Sequence, residues 1–351
     1  MKRAKILTLV GARPQFIKAA PLSHAVRAHE TLEEVLVHTG QHFDAGMSDV
    51  FFDELGIPEP QYNLDIHGGN HGQMTGRMMQ ALEPVLIEEA PDVVLVYGDT
   101  NTTLAGALVA AKLNVPVAHV EAGLRSFNRA MPEEVNRILT DHVSSLLFCP
   151  TPNAVEHLRN EGIQEGVHQI GDVMMDATLQ ARERAKERST ILADLGLAGE
   201  SFAVATVHRA ENTDNRDRLV AIVEWLESEA QSKHVVLPIH PRTGGALARH
   251  GIVFDAVRTI DPVGYLDMAQ LLGGCTEVFT DSGGLQKEAY FHGKPCVTLR
   301  DETEWTETVE HGWNRLWTQP DYHHRQPIAC YGDGRSAIAI ARVLANYCAV
   351  R

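Results

Sequence analysis

The chain has 351 residues, with 31 Lys and Arg against 46 Asp and Glu, a formal net charge of −15. At roughly 150 residues per domain this length predicts two domains, and so acidic a chain excludes a general nucleic-acid binder, which needs a basic surface for phosphate. Its 44% hydrophobic and 22% charged residues are too balanced for disorder, and its apolar runs, such as 93–96 and 235–237, are far too short to span a bilayer.

The start, Met1-Lys2-Arg3-Ala4-Lys5, leads into a short apolar run ending before Gly11, which reads as a first strand and not as a signal peptide. Apolar runs at 6–10, 35–38, 93–97, 115–120 and 146–149 predict strands, and segments 16–29, 72–89, 101–113 and 133–144 predict helices between them. Near-continuous apolar strands between amphipathic helices indicate a parallel sheet covered on both faces. The pattern then restarts, with strands at 202–207, 234–239, 278–280 and 295–299 and helices at 219–230, 265–272 and 285–291. The charged helix 180–188 and a glycine-bearing connection near 195–200 place the boundary around 170–200, and 337–347 reads as a terminal helix. The expected architecture is α/β: two Rossmann-like βα domains facing a cleft, the first over 1–170, the second over 171–333, with 334–351 as the terminal helix. The five cysteines are odd in number and form no CxxC, which points to buried thiols in a reducing cytoplasm.

Ligands of open α/β sheets bind beyond the carboxyl ends of the strands. After the first strand comes Gly11-Ala12-Arg13-Pro14-Gln15-Phe16-Ile17-Lys18. Gly11 permits a tight turn, Pro14 suits a first helical turn, and Arg13 and Lys18 would join free amides and the helix dipole as an anion site. The alternative is an ordinary strand–helix turn with two solvated charges. Asp99, in Gly98-Asp99-Thr100, either caps the next helix or belongs to a site. The following strand ends in Glu121-Ala122-Gly123-Leu124-Arg125, and the next helix opens Met131-Pro132-Glu133-Glu134-Val135-Asn136-Arg137. Glu133 and Glu134 suit a helix dipole. The sharper reading is that Asp99, Glu121 and one of that pair converge at one rim. Carboxylates in a partly dry pocket push their pKa values apart, which can separate an acid from a base.

In the second half, Thr206-Val207-His208-Arg209-Ala210-Glu211-Asn212 places His208 and Arg209 at a strand end, suited to a diphosphate. Asp281-Ser282-Gly283-Gly284-Leu285-Gln286-Lys287-Glu288 exposes amides unobstructed by side chains, a phosphate cradle of the nest and helix-terminus type. Glu288, further along that helix, suits ribose hydroxyls. Neither the Walker loop nor the dinucleotide fingerprint occurs. His67 and His71 are separated by Gly68-Gly69, and His323 and His324 are adjacent, so no metal site is expected. Met74, Met78 and Met79 read as core packing.

Together these strings resemble the non-hydrolysing UDP-N-acetylglucosamine 2-epimerase family along nearly the whole chain, most strongly at 98–103, 119–126, 132–137, 208–212 and 281–288. The resemblance implies a fold similar to GT-B glycosyltransferases, with a C-terminal helix crossing back to the first domain. It implies a cytoplasmic isomerase of polysaccharide biosynthesis that interconverts UDP-gluco and UDP-manno N-acetyl sugars without metal or redox cofactor, and a homodimer that helix 72–89 would support. By motif, Asp99, Glu121 and Glu133 correspond to the active-site carboxylates, with the register favouring Glu133 over Glu134. His208 corresponds to the active-site histidine and Arg13 and Lys18 to the basic strand-one site. Arg137 matches the helix arginine, and Ser282 to Gly284 with Glu288 match the nucleotide loop and ribose carboxylate.

The C2 proton of such a sugar is barely acidic, so its loss is expected together with departure of UDP from C1, giving a 2-acetamidoglucal to which UDP re-adds. Three departures stand out: Gln41-His42-Phe43-Asp44 where members with a second, activating nucleotide sugar often have Gln-His-Arg-Glu; Gln15 in place of a common glutamate; and Trp305 in place of a common arginine. These look like the branch acting on UDP-2,3-diacetamido-2,3-dideoxyglucuronate, whose extra carboxylate would need a cation such as Arg125 or Arg129. A GT-B glycosyltransferase, a hydrolysing variant and a non-catalytic sugar-nucleotide binder are the competing readings. In a glycosyltransferase the acidic cluster lacks a task, and in a binder buried carboxylates beside a diphosphate are costly.

Overall fold

The computed structural model describes residues 3–41 and 52–350. The chain divides into two compact units, Met1–Ala177 with Ala329–Arg351, and Thr178–Ile328. The second unit is therefore an uninterrupted insertion in the first.

The sheet of the first unit contains β1 (Ala4–Val10), β2 (Leu32–His38), β3 (Tyr62–Asn63), β4 (Val93–Tyr97), β5 (Val117–Val120), β6 (Leu146–Cys149) and β7 (Val167–Gln169). Their spatial order is β3-β2-β1-β4-β5-β6-β7, and the pairings are parallel throughout. Every residue of β4 and β5 is buried, as continuous apolar runs require when helices cover both faces. The helices are α1 (Arg13–Ala28), α2 (His71–Glu89), α3 (Asn101–Lys112), α4 (Pro132–Val143), α5 (Pro152–Asn160) and α6 (Val173–Arg188). On one face Leu7, Leu9, Val94 and Val96 meet Met78 and Leu82 of α2 and Ala105 of α3.

The second unit repeats the plan. It contains α7 (Ile191–Asp194), β8 (Phe202–Thr206), α8 (Ala210–Thr213), α9 (Arg216–Ala230), β9 (His234–Pro238), α10 (Pro241–His250), β10 (Arg258–Ile260), α11 (Tyr265–Gly274), β11 (Glu277–Thr280), α12 (Gly283–Phe291), β12 (Cys296–Thr298), α13 (Thr306–Glu310) and β13 (Asn314–Leu316). The parallel order is β10-β9-β8-β11-β12-β13. Strand alternation divides its core: Phe202, Val204, Val236 and Val278 face one side, Ala203, Ala205, Leu237 and Phe279 the other.

After β13 the chain returns to the first unit as α14 (Ser336–Val350), which packs against α1 and β1. Asp176 of α6 caps it, accepting the Ser336 and Ala337 amides at 3.2 and 2.9 Å. Burial raises the Asp176 carboxyl to about 6 despite those amides. Among the described residues no helix is long and apolar enough to cross a membrane, and the five cysteines are free thiols.

Strand order reverses between β1 and β4 in one sheet and between β8 and β11 in the other. Loops diverge at such switch points, which is where ligands of open parallel sheets bind.

Candidate active site

The switch point of the first unit carries the carboxylates singled out in the sequence. Asp99 follows β4 across Gly98. It does not cap α3; Thr100 does, its Oγ1 accepting the Thr103 amide at 3.3 Å. The Asp99 carboxylate instead pairs with Arg137 of α4. Glu121 follows β5 and pairs with the Lys18 ammonium of α1, both side chains nearly buried. Gly98 lies against that pair: a Cβ there would sit 3.3 Å from Glu121 Oε2 and 3.5 Å from Lys18 Nζ. Burial lifts the Asp99 carboxyl above the usual range; Lys18 and Arg137 pull it down, Glu121 and Glu133 push it up, and the net shift is upward. A carboxyl raised by burial takes up a proton more readily than an ordinary one, which suits proton transfer.

Glu133 and Glu134 adjoin in sequence and differ in surroundings. Glu133 is exposed and lines a cavity of about 160 Å³ with Asp99, Asn136, Gln41, Ala12 and Pro14. Glu134 is 1% exposed. It accepts the Ser126 and Phe127 amides at 2.9 and 2.8 Å and Arg137 Nε at 3.0 Å. Burial acts to raise its carboxyl, but those donors outweigh it and hold the group below its ordinary range. Glu134 thus fastens the loop after β5 and aims Arg137 at Asp99, while Asn136 Nδ2 holds the Asp99 carbonyl at 2.9 Å.

The anion site expected after β1 is altered. The Gly11 and Ala12 amides are taken by Gln15 Oε1 at 2.9 and 3.1 Å, while Gln15 Nε2 donates to the Tyr97 carbonyl at 3.0 Å. Gln15 therefore ties the β1 turn to β4, and Lys18 answers Glu121. Arg13, exposed at the start of α1, remains beside the cavity-lining Ala12 and Pro14. Arg125 is likewise engaged: its side chain is 1% exposed and pairs with Asp141 and Glu161, so it is not a cation for substrate. Arg129 is exposed on the same loop with no ion-pair partner among the described residues. Of the 41–44 string, Gln41 accepts the Thr102 amide at 3.0 Å; His42, Phe43 and Asp44 lie outside the described residues. Among the described residues no three His, Cys, Asp or Glu side chains gather as metal ligands.

At the switch point of the second unit, Asp281 is fully buried and organises the loops. It accepts the His208 and Arg209 amides, both at 2.9 Å, and Asn212 Nδ2 at 3.0 Å. The His208 ring lies with Nδ1 3.5 Å from Asp281 Oδ1 and its centroid 5.4 Å from the His240 ring. Ser282 caps α12. Gly283 and Gly284, as the first helical residues, present amides that have no acceptor within the helix. Glu304 Oε1 crowds Gly283, and Arg300 pairs with Glu304. Glu288 is buried one turn on, its Oε1 3.9 Å from where a Gly284 Cβ would stand. Lys287 Nζ sits 3.9 Å over the Trp305 ring. The sequence reading gave no role to Asp281 and Asp141, whose side chains bond to distant backbone and leave no local spacing signal, and it noted Gln15 only as a departure, not as the tie between the β1 turn and β4.

The profile of the UDP-N-acetylglucosamine 2-epimerase family matches residues 24–345. The chain belongs to that family. A Pseudomonas aeruginosa relative named UDP-2,3-diacetamido-2,3-dideoxy-D-glucuronate 2-epimerase is 58% identical over 317 residues, covering 89% of this chain and 88% of that one. A UDP-N-acetylglucosamine 2-epimerase homolog from Methanococcus maripaludis is 47% identical over 97% of this chain and 99% of its own. Among solved epimerases, the Methanocaldococcus jannaschii UDP-GlcNAc 2-epimerase in complex with UDP-GlcNAc and UDP superposes with a TM-score of 0.83. It is 41% identical and covers 97% of this chain and 99% of its own.

Proposed function

We propose that this chain epimerises C2 of a UDP-N-acetyl sugar by eliminating and re-adding UDP. The C2 proton leaves to a carboxylate as the C2–H electrons form the C1–C2 double bond. The C1–O bond breaks, and its electrons depart with UDP. Re-addition of UDP at C1 with a proton delivered to the opposite face of C2 gives the epimer. The observation that carries this reading is the carboxylate cluster itself: Asp99 paired with Arg137, Glu121 paired with Lys18, and Glu133 lining the same cavity as Asp99.

Asp99, Glu121 and Glu133 carry the proton transfers. Arg13, Lys18 and Arg137 balance charge around them. His208, with the Ser282 hydroxyl and the Gly283 and Gly284 amides, takes the charge that develops on the diphosphate, and Glu288 takes the ribose hydroxyls. No metal or redox cofactor enters this scheme.

A second substrate reading, UDP-2,3-diacetamido-2,3-dideoxyglucuronate, is favoured by the 58% identity to the relative of that name. Arg129 is then the cation for the uronate. We further propose a cytoplasmic homodimer, with α2 at its interface, that serves surface-polysaccharide synthesis; sedimentation showing only monomer at working concentration refutes the dimer.

The test is incubation in D₂O with each nucleotide sugar, following C2 by NMR. Deuterium at C2 with UDP still attached, in both epimers, supports the proposal. Free sugar as the first product indicates hydrolysis. An unlabelled, unchanged nucleotide for both substrates refutes the epimerase reading.

A further inference from the structure

One buried pair joins the two turns that carry Asp99 and Glu121. His119, inside β5, and Asp141, on α4, are both 0% exposed. The His119 ring places Nδ1 2.7 Å from Asp141 Oδ1 and Nε2 2.8 Å from the Gly98 carbonyl oxygen. A carbonyl only accepts, so Nε2 donates. Burial acts to raise the Asp141 carboxyl, but His119 and Arg125 hold it below its ordinary range. Both ring nitrogens are thereby engaged, Nε2 by the Gly98 carbonyl and Nδ1 by Asp141. Asp141 Oδ2 takes the Gly123 amide at 3.1 Å and Arg125 Nη1 at 2.7 Å.

The pair thus holds Gly98, whose φ is +62°, on one side. On the other it holds the turn of Glu121 and Gly123, with φ of +72° and +79°. A glutamate keeps a left-handed backbone only where its surroundings over-determine it. Gly123 is further fixed because a Cβ there would collide with the Ala154 carbonyl. Neither His119 nor Asp141 is exposed to a ligand, so each acts through the turns it holds.

We propose that His119 and Asp141 are positioning residues that set the spacing of the Asp99 and Glu121 carboxylates for the two proton transfers. The inference rests on the epimerase reading of the site. Its test compares wild type with His119→Gln and Asp141→Asn. In each variant kcat falls roughly 10–100-fold, the range that follows from misplacing reacting groups by about 1 Å. KM stays within about threefold of wild type, UDP-binding stoichiometry is unchanged, and the kcat–pH profile keeps both limbs. Free UDP and 2-acetamidoglucal escape more often per turnover, because proton return lags.

Unchanged kcat in both variants overturns the proposal, as does a fall matched by lost UDP-binding protein. A profile that loses a limb in His119→Gln makes that ring a proton donor itself and also overturns it. Wild-type protein without turnover refutes the epimerase reading, and the positioning role with it. Nitrogen NMR of wild-type protein labelled in histidine covers the case in which the variants do not fold. A His119 ring whose Nε2 carries no hydrogen removes the hold on Gly98 and overturns the proposal.

Discussion

Glu133→Gln and Glu134→Gln alter adjacent residues by the same atoms and should give opposite readouts. In Glu134→Gln one carboxylate oxygen becomes an NH₂ group. Placed where Oε2 lies, it would face both the Ser126 amide and Arg137 Nε. Placed where Oε1 lies, it faces only the Phe127 amide, so that arrangement is preferred. The Phe127 amide, in a part-buried bond, then loses its acceptor, costing about 1–3 kcal/mol. The two remaining bonds lose their ionic character, roughly another 1 kcal/mol. A total of about 2–4 kcal/mol in a unit of this size lowers Tm by roughly 5–15 °C. Glu133 is exposed, so Glu133→Gln should leave Tm within about 2 °C while removing most of the turnover. Scanning calorimetry with an epimerisation assay on the same preparations reads both quantities. Equal Tm values for the two variants, or a Glu133→Gln enzyme with normal turnover, refute the division of labour drawn from burial.

Asp99→Asn should lower kcat by about 10²-fold or more and leave UDP affinity within about threefold; normal turnover removes Asp99 from the scheme. Because the Asp99 carboxyl is held above the usual range, the limb in which it acts as a base lies above ordinary carboxylate values, with rate rising as pH rises; Asp99→Asn should lack it. Asp281→Asn takes an acceptor from the His208, Arg209 and Asn212 donors, and calorimetric titration should find UDP bound roughly tenfold more weakly, since an orphaned buried donor costs about 1–3 kcal/mol; an unchanged Kd detaches Asp281 from nucleotide binding. Asp176 titrates near 6 in the folded chain and near 3.9 when unfolded. The folded state then binds the proton more tightly than the unfolded state does, so the contribution of Asp176 to stability is full below about pH 4 and is lost through about pH 6, by at most about 3 kcal/mol. Asp176→Asn should flatten that decline, and equal slopes in both proteins assign it to another group.

The interior strands were legible as apolar runs because helices cover them on both faces. The four strands absent from the sequence reading, β3, β7, β10 and β13, are the four edges of the two sheets. Each is two or three residues long and largely half-exposed or exposed. An edge strand pairs on one side only and need not be apolar, so Tyr62–Asn63 or Arg258–Ile260 leaves no run to find. Short helices such as Pro152–Asn160 and Pro241–His250 were also missed, since neither supplies enough turns for a periodic stripe. At the site, Asp99, Glu121 and Ser282 were visible because each lies within two residues of a strand end. The partners that hold them were not. Glu134 read as a dipole acid, and Asp141 and Asp281 bond to backbone 18 to 73 residues away.

The insertion of one unit within the other bears on the order in which the chain acquires structure. During synthesis the second unit emerges whole and has all its strands before translation ends. The first unit begins earlier yet lacks α14, which α1, β1 and the Asp176 cap await. Domains generally fold as units as they emerge, so the earlier-made unit is the later one to be completed. Damage near the end of the chain therefore falls on the carboxylate-bearing unit, at the opposite end of the sequence from the strands it would unsettle.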